Sequence, residues 1–130
     1  RVRNFSGVVL KDQQTAHTTL GQLQIETRAA GELARAVYDR AEGVLAARPF
    51  TTDDRLHAKG QTAFTSRHCR ETANRMMAAA GASSFHEDQP LQRIWRDINT
   101  VCSHAFWDWD VSCEQTGRQH LGLPLTHPLV

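Results

Sequence analysis

The 130-residue sequence has no apolar run approaching the about 20 residues that a membrane-spanning helix needs, and its mean hydropathy is −0.49. That excludes a transmembrane helix, and no secretory leader is recognisable at the start. With 4 prolines and 8 glycines, it is too poor in turn formers for a turn-rich sandwich or a low-complexity chain. Charge of one sign is also lacking. The net charge of +1 sets up no field that would gather nucleic acid or an anionic membrane surface. The cysteines, Cys69, Cys102 and Cys113, are odd in number and none stands in a CxxC pair. Zinc ribbons and thioredoxin-like redox motifs are therefore disfavoured, and a reducing, cytoplasmic setting is expected. The 7 histidines include no HExxH motif and no pair spaced i, i+4, so no metal site is expected. The chain opens on Arg1 with loop-like residues and is expected to be part of a longer protein.

What is present is helical periodicity over a single domain's length. Ala16, Leu20, Leu23, Thr27, Ala30, Ala34, Val37, Ala41 and Val44 step by four and three, which predicts one long helix over about 13–47. Arg48-Pro49 ends it, because a residue before proline leaves the helical region. Thr51-Thr52-Asp53-Asp54 supplies capping oxygens and negative charge for a second helix over about 53–80. Its apolar set is Leu56, Ala63, Phe64, Ala73, Met76, Met77 and Ala80, and Gly81 closes it. After a polar connector, Pro90 at a first helical position opens a third helix over about 90–113. Its core stripe is Leu91, Ile94, Ile98, Val101, Ala105 and Trp109. Gly117, Gly122, Pro124 and Pro128 read as an extended tail held by a partner surface.

Three long helices joined by short connectors predict an all-α, up-down antiparallel bundle with an open groove on one side. A fourth helix, from upstream or from another subunit, would close that groove.

Arg93, Asp97, Thr100, His104 and Asp108 make a polar stripe beside the third helix's apolar one. Two readings stay open at this point. The stripe is either a solvated, ion-paired face or the wall of a cleft in which the His104 imidazole hydrogen-bonds or exchanges protons with a ligand. Trp95, Phe106, Trp107 and Trp109 either pack between helices or wall a planar ring.

The stretch Pro90-Leu91-Gln92-Arg93-Ile94-Trp95-Arg96-Asp97, followed by Thr100 and His104, resembles the last long helix of flavin-dependent monooxygenases with the acyl-CoA dehydrogenase fold. A second likeness is Arg3, Gly7, Val9-Leu10, Gln14 and Leu20. These follow the acyl-CoA dehydrogenase pattern of Arg, Gly four on, an apolar pair, Gln and Leu, although Ser6 replaces the usual Phe before the Gly. A third is Ala73 to Phe85, where Gly81 followed by Ala82-Ser83-Ser84 stands for the Gly-Gly pair of the dehydrogenases. The resemblance covers the C-terminal helical domain alone.

It implies a two-component hydroxylase of aromatic or similar small molecules, acting through a C4a-hydroperoxyflavin. Reduced FMN or FAD would come from a separate flavin reductase. By the same resemblance, His104 contacts the flavin peroxide, and Thr100 and Asp97 orient the site. Arg3 and Gln14 reach flavin phosphates across a homo-oligomeric interface, Arg96 assists, and Gly81 lies near the diphosphate. A dehydrogenase would carry a catalytic Glu close to positions 104 and 105, where none stands. An acyl-CoA dehydrogenase fragment and a non-enzymatic helical dimerisation module are the competing readings.

Overall fold

The computed structural model describes residues 9–128. Among them are four α-helices and no β-strand: α1 (Gln14–Ala47), α2 (Thr52–Ala80), α3 (Pro90–Val101) and α4 (Trp109–His120). Short 3-10 turns occupy Leu10–Asp12, Ala82–Phe85 and Ala105–Trp107.

The α1–α2 corner is built by one buried carboxylate. Thr51 caps α2 by accepting from the Asp54 amide, while Asp54 accepts from the Thr51 amide at 2.9 Å, a reciprocal capping box. Arg48, at the end of α1, donates to the same carboxylate at 2.5 and 3.2 Å. The Arg48 bond is the largest cause holding the Asp54 carboxyl well below the usual carboxylate range, with Thr51 adding to it.

Along α1 the buried seam contains Leu23, Ala30 and Val37, one every two turns. Each Leu or Val so buried contributes roughly 1.5–3 kcal/mol. The seam departs from the sequence stripe at three positions. Leu20 is 68% exposed, and Thr27 and Ala34 also face outward, while Thr19, Glu26 and Leu33 are half-buried instead. The reason is Glu26, whose carboxylate is bonded to Arg75 and Thr72 of α2. Once its head group is partnered, a glutamate can sit in a seam that apolar periodicity alone assigns elsewhere. Leu56, Ala63, Ala73 and Met77 form the buried apolar positions of α2, whereas Phe64 lies 47% exposed.

The largest difference from the sequence reading lies in the third helix, expected to be continuous over 90–113. It divides into α3 and α4 around residues 102–108. Thr100 and Ser103 turn their hydroxyls back onto the Arg96 and Asn99 carbonyls at 2.9 and 2.7 Å. The Ser103 and His104 amides then tighten onto carbonyls three residues back, at 3.2 and 3.1 Å. Asp108 restarts the helix by accepting from the Val111 amide at 2.9 Å. The periodic stripes of that helix are therefore interrupted, and Ile94 and Val101 are exposed rather than core.

The tail differs as well. It was expected to lie on a partner surface but is held by α4 itself. The Gln115 side chain, 1% exposed, bonds the Thr126 hydroxyl at 3.1 Å and the Thr126 and His127 amides at 2.9 and 3.2 Å. Arg118 donates to the Pro124 carbonyl at 2.8 Å.

Helix α2 is the shared spine. Asp53 meets Gln119, Phe64 meets Trp109, and Asn74 meets Trp95, so α3 and α4 run antiparallel to it in succession. Helices α1 and α4 flank α2 with a groove of about 500 Å³ between them, lined by Leu33, Phe64, Trp109 and Cys113. No helix among the described residues is long and apolar enough to cross a membrane.

Candidate functional site

The break between α3 and α4 sets the geometry of the site. His104 leaves the helical region at ψ 136° and caps the following turn, its Nδ1 accepting from the Phe106 amide at 3.1 Å. In the neutral ring that bond assigns the proton to Nε2 and leaves Nε2 as the donor a ligand can meet. Beneath the turn sits Lys59, 3% exposed, its ammonium 5.7 Å from the Phe106 ring centroid and 3.3 Å from His127 Nδ1. Burial pushes this lysine down, and the Asp108 charge opposes it. Phe106 and Trp107 meet edge to face at 4.8 Å, so the turn carrying His104 is braced from below and from the side.

His104 lines a polar cleft of about 580 Å³ between α2 and the α3–α4 turn. Arg67, Arg70 and Glu71 supply the α2 wall; Cys102 and Asp108 stand on the other side. Arg67 donates to Glu71 at 2.9 Å and lies 5.5 Å from the Trp109 ring centroid. That hydrogen bond from Arg67 is the chief cause holding the Glu71 carboxyl below its ordinary value. Burial raises the Cys102 thiol, while the nearby Arg70 guanidinium and a Ser66 hydrogen bond act the other way. The three cysteines are free thiols. No group of three or more His, Cys, Asp or Glu side chains that could hold a metal ion occurs among the described residues.

The other sequence-selected residues do not gather around His104. Asp97 lies on the exposed side of α3 between Arg93 and Arg96, each 3.8 Å away. The Thr100 hydroxyl is occupied by the Arg96 carbonyl. None of Arg96, Asp97 and Thr100 lines the cleft.

Gln14, exposed at the first turn of α1, and Gly81, at the end of α2, do not line that cleft either; their sequence neighbours Thr15 and Ala80 line a second cleft of about 560 Å³ with Leu10, Lys11, Met76 and Ala79. Gly81 has φ 81° and ψ 179°, a conformation almost confined to glycine, and its carbonyl accepts from the Ser84 amide and hydroxyl at 2.9 and 2.6 Å. Helix termination is thus reason enough for that glycine. Arg3, with Ser6 and Gly7, lies outside the described residues.

Sequence reading missed Arg67 and Arg70, which a helical wheel of α2 puts on one face three residues apart. It also missed the capping role of Asp108, although an Asp followed two positions later by Asp110 is a helix-start signal.

The model of the family described as acyl-CoA dehydrogenase, C-terminal domain, matches residues 1–109. A pigment production hydroxylase of a Rhodococcus species is 30% identical over 136 positions, covering 100% of this chain and 34% of the relative. The oxygenase component of p-hydroxyphenylacetate 3-hydroxylase from Acinetobacter baumannii is 41% identical over 61 residues, 47% of this chain and 14% of its own length. Among solved structures, XiaF from a Streptomyces species, in complex with FADH2 and glycerol, superposes with a TM-score of 0.83. Its sequence is 27% identical, and the match covers 98% of this chain and 32% of that one. The chain thus spans about a third of the length of the relatives it matches from end to end.

Proposed function

The chain belongs to the acyl-CoA dehydrogenase C-terminal domain family, and from that premise we propose that it is the C-terminal helical part of a flavin-dependent monooxygenase. The enzyme would be an oxygenase component that takes reduced FMN or FAD from a separate reductase and hydroxylates an aromatic or similar small molecule. The relatives named as hydroxylases and oxygenase components support that reading. One observation of the fold carries it: His104 stands on a polar cleft with Nδ1 committed to a backbone amide, so that Nε2 is free for a ligand.

A flavin with its reacting oxygen is a group rich in acceptors, and an imidazole donor on a polar cleft fits it. Reduced flavin, when bound, would supply the electrons that activate dioxygen. The residues of this chain hold and orient what it presents. His104 holds a proton at Nε2 against a ligand oxygen, a donor set in place before the reaction and needing no reorganisation during it. The amide of Phe106 fixes the ring's tautomer and direction. Gln14 and Arg3 are the candidates for flavin phosphate contacts at a subunit interface, with Gly81 the candidate near the diphosphate. Asp97 and Thr100 act on the site through the end of α3 rather than by touching the ligand, and Arg96 assists from the same helix.

Acyl-CoA dehydrogenation is the weaker reading. The glutamate lining this cleft, Glu71, has its affinity for protons lowered by Arg67, the opposite of what a base removing a carbon-bound proton needs.

The test is His104→Ala in the full-length enzyme, measuring product formed and hydrogen peroxide released per flavin oxidised. Hydroxylation should slow on the order of 10²-fold while flavin oxidation persists and peroxide rises. An unchanged ratio of product to oxidised flavin would overturn the assignment.

A further inference from the structure

Two of the three acids lining the His104 cleft are hydrogen-bonded. Glu71 accepts from Arg67 at 2.9 Å, Asp108 caps α4 at 2.9 Å, and Asp110 lies in the first turn of α4, near enough to Arg67 to favour its charge. Arg67 is engaged too, between Glu71 and the Trp109 ring. Arg70 is not. It is half-buried on the cleft wall, and among the described residues no carboxylate or carbonyl accepts from its guanidinium. Other arginines without such a partner, Arg28, Arg35 and Arg40, stand on the exposed side of α1, where water completes their hydrogen bonds. Arg70 is more withdrawn than these, and its guanidinium, with no protein acceptor, retains its fork of donors for an anion entering the cleft. It shares its cleft with the imidazole of His104.

We propose that Arg70 is the anion-recognition residue of the His104 cleft, binding a carboxylate or phosphate oxygen pair on the ligand whose reactive end meets His104. The inference rests on the reading of this cleft as the ligand site of a flavin-dependent hydroxylase. It goes further by naming the charge the ligand carries and the residue that reads it. The anion has two possible sources: a carboxylate on the phenolic substrate, or the phosphate of the flavin. Planar, bidentate recognition suits both.

The experiment uses the full-length enzyme under anaerobic conditions, with dissociation constants from calorimetry for two probe pairs. The first pair is 4-hydroxybenzoate and phenol; the second is reduced FMN and reduced riboflavin. Each is measured on the wild type, Arg70→Gln and Arg70→Lys, with melting temperature and circular dichroism as controls for folding.

In the wild type the charged member of one pair should bind more tightly than its uncharged counterpart. In R70Q that preference should fall by about 10- to 100-fold, the effect of losing a charged hydrogen-bond partner, with the uncharged probe unmoved. R70K should recover part of it, since a point charge replaces the fork. Loss confined to 4-hydroxybenzoate assigns the anion to the substrate, and loss confined to reduced FMN assigns it to the flavin phosphate. The proposal is overturned if the wild type shows no preference for either charged probe, or if R70Q keeps the preference intact. Because binding is read without turnover, the result stands whichever way the product-to-peroxide ratio of His104→Ala comes out.

Discussion

Asp54 shows how much one side chain can settle. Its carboxylate closes the cap of α2, receives Arg48 from the end of α1, and is 6% exposed. Its affinity for protons in the fold is well below that of an exposed aspartate, which titrates near pH ~3.9. The unfolded chain therefore takes up this proton first as pH falls. The stability that Asp54 supplies is complete above about pH 4 and is lost progressively on acidification below it. Asp54→Asn should lower the melting temperature at neutral pH. The difference from wild type should narrow steadily below pH ~4, as read by thermal melts across an acid series. A gap that stays constant to low pH would assign the effect to packing rather than charge. Thr51 through Asp54 was legible in the sequence as a helix start because capping is a local matter. The Arg48 partnership was not, since it depends on how the chain turns the corner.

The same division holds for whole helices. Apolar periodicity and the Arg48-Pro49 and Gly81 stops located α1 and α2 within a residue or so. For α3 and α4 the period ran on through 102–108, since Ala105 and Trp109 happen to continue it. The interruption there is polar: hydroxyls folding back on carbonyls, an imidazole caught by an amide, and a new cap at Asp108. Such bonds leave no periodic trace, and the break is what opens the cleft beside His104. Asp108→Ala should cost about 1 kcal/mol through the lost cap and loosen the first turn of α4. Urea unfolding would read the first effect. Faster amide exchange confined to residues 105–112 would read the second; exchange unchanged there would show that the break is maintained by other contacts. The candidate residues were chosen one by one along the sequence, and the fold does not gather them into one place. His104 reaches a cleft, the sequence neighbours of Gln14 and Gly81 line a different one, and the cleft arginines stand on a helix whose apolar set alone drew the sequence reading.

At the scale of the whole molecule, apolar surface is the dominant fact. Leu20, Ile25, Tyr38 and Leu45 on α1, and Ile94 and Val101 on α3, are all more than half exposed. Patches of this kind favour association. The isolated 130-residue chain should therefore sediment as a concentration-dependent mixture of species, with Leu20→Gln shifting it toward monomer at unchanged helix content. A single monomeric species at all concentrations would remove this basis for expecting a contact on that face. A groove lies between α1 and α4, and the tail expected on a partner surface is tied down by Gln115.

Among the described residues, helix α2 is the element that α1 and the α3–α4 arm both lean on. A volume change on α1 can be compensated within α1 or on the side of α2 that receives Glu26, without any answering change near His104. A change in α2 must satisfy both flanks at once. Over long divergence the outer helices are therefore free to drift separately, while the middle one is the stretch with the fewest acceptable spellings.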